Sequence, residues 1–69
     1  MTQKDRIKKY IDDFGGITAA QAAADLGVMY LSGRIKDLRR DGVPVVAVPR
    51  VGINRYGDKV RYHEYTIKV

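Results

Sequence analysis

The sequence predicts an α+β domain, a bundle of three short helices followed by a two-stranded antiparallel hairpin. Three observations carry that expectation. From Thr2 to Asp41 apolar residues recur at three- and four-residue spacing, the period of helices with one buried face. From Val43 the period changes and β-branched residues dominate, in VPVVAVPRV and then GINRYGDKVRYHEYTIKV. Gly15-Gly16, Leu26-Gly27 and Gly42 cut the helical part into three.

The first helix is expected over Thr2 to Phe14. Thr2 is its cap, with Asp5 at the capping-box position, and Ile7, Tyr10, Ile11 and Phe14 share one face. Ile17 stands alone between Gly16 and the next cap, either as a one- or two-residue strand or as a core plug. Thr18 caps the second helix, with Gln21 as its capping-box partner. That helix is rich in alanine, which favours helix and close approach, and Ala22, Ala23 and Leu26 are expected to face inward. The third helix reads from Val28 to Asp41, its start set to within two residues. Leu31, Ile35 and Leu38 make its apolar seam; Gly33, Lys36, Asp37 and Arg40 lie opposite, and Tyr30, Ser32, Arg34 and Arg39 flank it. Gly33 in a helix interior costs roughly 1 kcal/mol relative to alanine, which suggests close approach by another backbone or a ligand.

Pro44 and Pro49 confine the first strand to an edge or to bulged positions. Gly57-Asp58 has the form of a two-residue type II′ loop. That turn pairs Arg55 with Val60, Ile53 with Tyr62, Val48 with Ile67 and Val46 with Val69. It places Val46, Val48, Tyr65, Ile67 and Val69 on a core-facing side. Val51, Ile53, Val60 and Tyr62 then fall on the opposite parity, so a bulge is expected at Gly52 or Pro49.

The chain has 69 residues, enough for one domain spanning 1–69 with a marginal core. It has no cysteine, which excludes disulfides and thiolate metal sites. His63 is the sole histidine, so a metal site would need scattered carboxylates, and no Ser–His–Asp set or phosphate-binding glycine loop is present. These points argue against an enzyme and against a bound cofactor. No apolar run is long enough to span a bilayer and the N-terminus lacks a signal-peptide core, so a soluble, cytoplasmic protein is expected. The formal charge of +5 is unevenly placed. Arg50, Arg55, Lys59 and Arg61 oppose Asp58 alone in the hairpin, and Arg34, Lys36, Arg39 and Arg40 oppose Asp37 and Asp41 in the third helix. Polyanions are the first partner class to consider.

The order helix, short extended link, helix, turn, helix, basic hairpin resembles a winged helix-turn-helix. The carriers of the resemblance are GGITAAQAAADLGV, YLSGRIKDLRRDGVPV and NRYGDKVRYHEYTI, and the chain is similar along nearly its whole length to small winged helix-turn-helix DNA-binding proteins of bacteria and their phages. The resemblance implies double-stranded DNA as partner, with the third helix in the major groove and the hairpin, the wing, on the backbone or in the minor groove. Expected contacts in the helix are Met29, Tyr30, Ser32, Gly33, Lys36, Arg34 and Arg40, with Tyr30 on a thymine methyl or a phosphate, or else a tyrosine at the core edge. Thr18, with the free N–H groups beside it, takes a phosphate or simply caps. Asn54, Arg55, Tyr56, Lys59 and Arg61 are the wing candidates, Arg55 foremost, because narrow minor grooves attract arginine. Arg39 and Arg50 contact DNA or pair with Asp41, Asp37 or Glu64. The roles implied are transcriptional regulation or an excisionase-like architectural part in phage DNA processing. Tight binding would call for a dimer or adjacent copies on DNA. The rival expectations are a protein-interaction module, for example one that binds a host polymerase or nuclease, and a single-strand binder that stacks bases on Tyr30, Tyr56 and Tyr62.

Overall fold

The computed structural model describes residues 1–68. Helix α1 spans Gln3–Phe14. Its capping box forms as the sequence implies: the Asp5 N–H donates to the Thr2 hydroxyl, and the Thr2 N–H donates to the Asp5 carboxylate. Ile7 and Ile11 are buried and Tyr10 half-buried, but Phe14 is 72% exposed. It ends the helix, and there its ring packs on Tyr10 at a centroid distance of 4.7 Å instead of entering the core.

Strand β1 is the short Ile17–Thr18, with Ile17 fully buried. Thr18 also caps the next helix, accepting from the Gln21 N–H at 3.2 Å while its own N–H donates to Gln21 Oε1 at 2.9 Å. The expected single helix is in fact two pieces. Helix α2 covers only Ala19–Gln21, and the chain then widens into a π-helical segment, Ala22–Leu26. Its end is correspondingly wide, with the Val28 N–H reaching back to the Ala22 carbonyl at 3.0 Å. Ala22 is buried, while Ala23 and Leu26 are half-buried.

Helix α3, Leu31–Arg40, starts later than the sequence suggested. Val28 does not begin a helix; it is a buried plug in the preceding turn. Leu31, Ile35 and Leu38 form the buried seam as expected. The C-terminus closes with a Schellman arrangement. The Gly42 N–H donates to the Arg39 carbonyl and the Val43 N–H to the Leu38 carbonyl, both at 3.0 Å, with Gly42 at φ 90°. Pro44 follows directly and the chain leaves the helix as strand.

Strands β2 (Val45–Ile53) and β3 (Lys59–Ile67) form an antiparallel pair, and β1 joins the other side of β3, giving the order β1-β3-β2. The register differs from the expected one. Val45 faces Ile67, Ala47 faces Tyr65, Val51 faces Arg61 and Ile53 faces Lys59. The turn is therefore not a two-residue type II′ loop. Asn54 and Asp58 close it, with the Asn54 N–H donating to the Asp58 carbonyl, and Arg55, Tyr56 and Gly57 form a three-residue loop. The Gly57 N–H donates to the Asn54 carbonyl, and Gly57 takes φ 83°, the usual device of a turn followed by a left-handed glycine. The Asn54 side chain decides the matter, because its Oδ1 accepts from the N–H groups of both Tyr56 and Asp58.

This shift exchanges the faces on β2. Val45 is buried with Tyr65 and Ile67 packed on the core, whereas Val46 points outward opposite Thr66, and Val48 lies opposite Glu64. Pairing is continuous from Val45 to Ile53, so neither Pro49 nor Gly52 marks a bulge. Gly52 instead makes room for Tyr62, whose Cε1 lies 3.2 Å from where a Cβ would stand. The pairing expected for Val69 lies outside the described residues.

The core joins Ile7 and Ile11 of α1, Ile17, Ala22, Val28, the α3 seam and Val45. β1 pairs with β3 at Tyr65 and Glu64. From the Pro49–His63 pair outward the ribbon has two strands and leaves the body of the molecule. The longest axis is 38 Å, and the radius of gyration of 12.3 Å exceeds the roughly 11 Å of a compact chain of this length.

Candidate nucleic-acid interface

The seam that buries α3 fixes which side chains it offers outward. Lys36 and Arg40 are exposed on the side away from the seam, as the helical period requires, and Ser32 is exposed on its flank. Lys36 has no ion-pair partner among the described residues. Arg40, its side chain 78% exposed, only approaches Asp37 at 4.0 Å, a surface contact of little strength. Met29, in the turn before the helix, is 86% exposed.

Two of the residues expected to touch DNA from this helix, Gly33 and Arg34, are placed otherwise. Gly33 is buried, not open to a ligand: the ring of Tyr30 covers it, filling the space that a Cβ would need. The close approach that its presence implied is thus made by a side chain of the same helix. Tyr30 sits at the N-cap position, where it makes no capping bond, and is 66% exposed, so it is not a core tyrosine. Arg34 lies on the flank toward the start of α1, in a shallow pocket shared with Thr2, Gln3, Lys4 and Asp37. Its Nε is buried 3.3 Å from an Asp37 carboxylate oxygen, near enough for attraction but without hydrogen-bond alignment. Arg39 turns to the other flank, where its Nε donates to the Val45 carbonyl at 3.2 Å, and so ties α3 to β2 rather than pairing with an acid.

On the hairpin, Arg55, Tyr56, Lys59 and Arg61 are exposed, with no ion pair among the described residues. Asn54 is spent inside the loop, as the bonds above show, and Arg50 pairs with Glu64 at 2.9 Å. The observed register adds a pattern that the expected one concealed. On one face of the projecting ribbon β2 presents Pro49, Val51 and Ile53, and β3 presents His63, Arg61 and Lys59 directly opposite. An apolar column thus runs beside a basic one. Alternation in the sequence contained this signal, but only the correct turn brings the two columns together.

Thr18 is a cap by geometry, and across the sheet it faces Glu64, whose carboxylate is engaged by Arg50. An open groove of about 500 Å³ lies beside it, between Ala19, Ala20 and Gln21 and the edge residues Tyr62, His63 and Tyr65. On α1, Lys4 pairs with Asp41 at the end of α3 and Lys9 with Asp13 at 3.3 Å, whereas Arg6 and Lys8 are exposed with no ion pair among the described residues. No helix among the described residues is long and apolar enough to cross a membrane.

A three-helix body with an outward basic helix, backed by a sheet whose last hairpin projects, defines a winged helix. Its class is that of DNA-binding domains. The model of the winged helix-turn-helix domain family matches residues 2–69, and the chain belongs to that family. No curated protein and no solved structure gives a significant match.

Proposed function

We propose that this chain binds double-stranded DNA with the outward face of α3 in the major groove and the hairpin along the backbone or in the minor groove. In this reading it serves as a transcriptional regulator or as an architectural factor in phage DNA processing. The observation that carries it is the pairing state of the cations. Lys36, Arg55, Lys59 and Arg61 are exposed and without acidic partners among the described residues, and they sit on the two elements that a winged helix presents to a duplex. Unpaired surface cations bind phosphate without first breaking an ion pair, and each neutralised phosphate releases counterions. One copy covers one half-site, so tight specific binding calls for a dimer or for adjacent copies on the duplex.

The test is selection from random-sequence duplexes at two salt concentrations. Wild-type protein should enrich a motif and lose affinity as salt rises. A Lys36→Ala, Arg40→Ala, Arg55→Ala triple variant that keeps its fold should lose most of that binding. Unchanged binding by the variant would reject this surface.

A second reading rests on a different feature. Val51, Ile53, Tyr56 and Tyr62 are all exposed on the hairpin, an apolar content that suits a protein partner. Binding to a polymerase or nuclease through these side chains would resist salt, whereas DNA binding would not.

A further inference from the structure

Two residues at the head of α3 break local rules, and they touch each other. Tyr30 holds the N-cap position, which favours Ser, Thr, Asp or Asn, and caps nothing. Gly33 stands in the first turn of the helix, where almost any other residue would be better. The two are three positions apart, on neighbouring sites of the helix surface. Ring carbons Cδ2 and Cε2 of Tyr30 occupy the space of a Gly33 Cβ, and Cζ lies 3.1 Å from it. The ring therefore rests on bare helix backbone. Gly33 is buried beneath it, yet Tyr30 stays 66% exposed, and its hydroxyl has no hydrogen-bond partner among the described residues. Exposed Met29 adjoins Tyr30, and the cations Lys36 and Arg40 come about one and two turns after Gly33.

We propose that Gly33 is a positioning residue that seats Tyr30 as a fixed apolar reader of a pyrimidine C5 methyl group in the major groove. The inference rests on the reading of α3 as the DNA-facing helix. Residues at the start of such a helix reach base edges, and the thymine methyl is the one apolar mark on those edges. The head of α3 is apolar where its later turns are cationic, so the methyl group is the matching chemistry there. A side chain held down on backbone also loses little freedom on binding, which makes a small contact count.

The experiment uses a selected duplex in which each thymine is replaced in turn by uracil, a change that removes only the methyl group. Wild-type protein should lose about fourfold in affinity at one position, the worth of one buried methyl group. Gly33→Ala, favoured in a helix, should keep or raise the thermal transition and keep the salt slope, because the added Cβ only displaces the exposed ring. It should no longer distinguish thymine from uracil at that position. Tyr30→Phe should keep the discrimination. Three results would each overturn the proposal: a motif in which no thymine is distinguished from uracil, discrimination that survives Gly33→Ala, or a uniform loss of affinity in Tyr30→Phe, which would assign the hydroxyl to a phosphate. If no sequence is enriched and binding is insensitive to salt, the reading of α3 falls and this inference with it. An enriched motif without methyl discrimination removes this inference alone.

Discussion

Helix α3 and the hairpin both offer cations, but they are held in opposite ways. α3 is bolted into the body along Leu31, Ile35 and Leu38, and its exit is locked by the Gly42 and Val43 bonds and by Arg39 on the Val45 carbonyl. The outer hairpin has no core beneath it. Its order comes from the β2–β3 ladder, the Arg50–Glu64 pair and the Asn54 side chain. A two-stranded ribbon is marginal by itself, so its base, at Val45–Ile67 and Ala47–Tyr65, must anchor the rest. The difference separates two tasks. A rigidly mounted helix can impose a geometry on base edges, whereas a ribbon that bends at low cost can follow a backbone.

The sharpest way to break this comparison is to truncate one isoleucine in each region. Ile35→Ala empties a site that is 1% exposed and should cost about 2–5 kcal/mol in urea unfolding. Ile53→Ala, at a residue 71% exposed, should stay within about 0.5 kcal/mol of wild type. Comparable losses would mean that the hairpin shares the core's cooperativity, and the division of labour would fail.

Binding should divide along the same line. Lys36→Ala should cost about 1–3 kcal/mol at one position of the bound sequence and relax preference there. Arg34→Ala should do less, because its guanidinium is drawn to Asp37. Arg55→Ala should weaken binding evenly across sequences and reduce the slope of log affinity against log salt by about 0.9. A quantitative binding series on mutated duplexes at three salt concentrations separates the two patterns.

What could be read from the sequence was what short range decides. Both capping boxes, the α3 seam and the helix stops at Gly15 and Gly42 depend on residues within a few positions of one another, and the structure has them all. The register was not legible, because Gly57 suits either the first place of a two-residue turn or the last of a three-residue turn. Asn54, three positions earlier, chooses between them. With the register went the facing of Val45 against Val46 and the pairing of Val51 with Arg61. At the candidate site the helical period placed Lys36 and Arg40 correctly, but it could not show that the Tyr30 ring turns back onto Gly33 or that Arg34 leans toward α1.

Asn54 thus offers a finer test of the hairpin. Asn54→Ala removes two side-chain acceptor bonds, both at the exposed tip where water can replace them, so the loss of stability should be about 0.5–1.5 kcal/mol. The larger consequence should be local, with faster amide exchange at Tyr56 and Asp58 and weaker binding by the Arg55 it orients. No change at those amides would mean that the ladder alone fixes the turn.

The smallest effect belongs to the polar pins of the helical body, and it has a defined sign. The Asp41 carboxylate, by hydrogen bond and by charge, raises the Lys4 pKa above its ordinary 10.5. The Asp25 carboxylate, 2.5 Å from the Tyr10 hydroxyl, raises that group above 10.0. In both cases the native state holds its proton longer than the unfolded chain does. The stabilisation is therefore complete below the unfolded values and is lost as pH climbs through the raised native ones. Thermal midpoints should accordingly fall from about pH 10 upward. Lys4→Met should remove one part of that decline and Tyr10→Phe the other. Because Lys4 ties α1 to the end of α3, its loss should loosen the mounting of the helix while amide exchange in the hairpin stays as it was. An alkaline decline that neither substitution reduces would show that the Lys4–Asp41 contact does not help to hold α3, and its mounting would then rest on the apolar seam and the bonds at its exit.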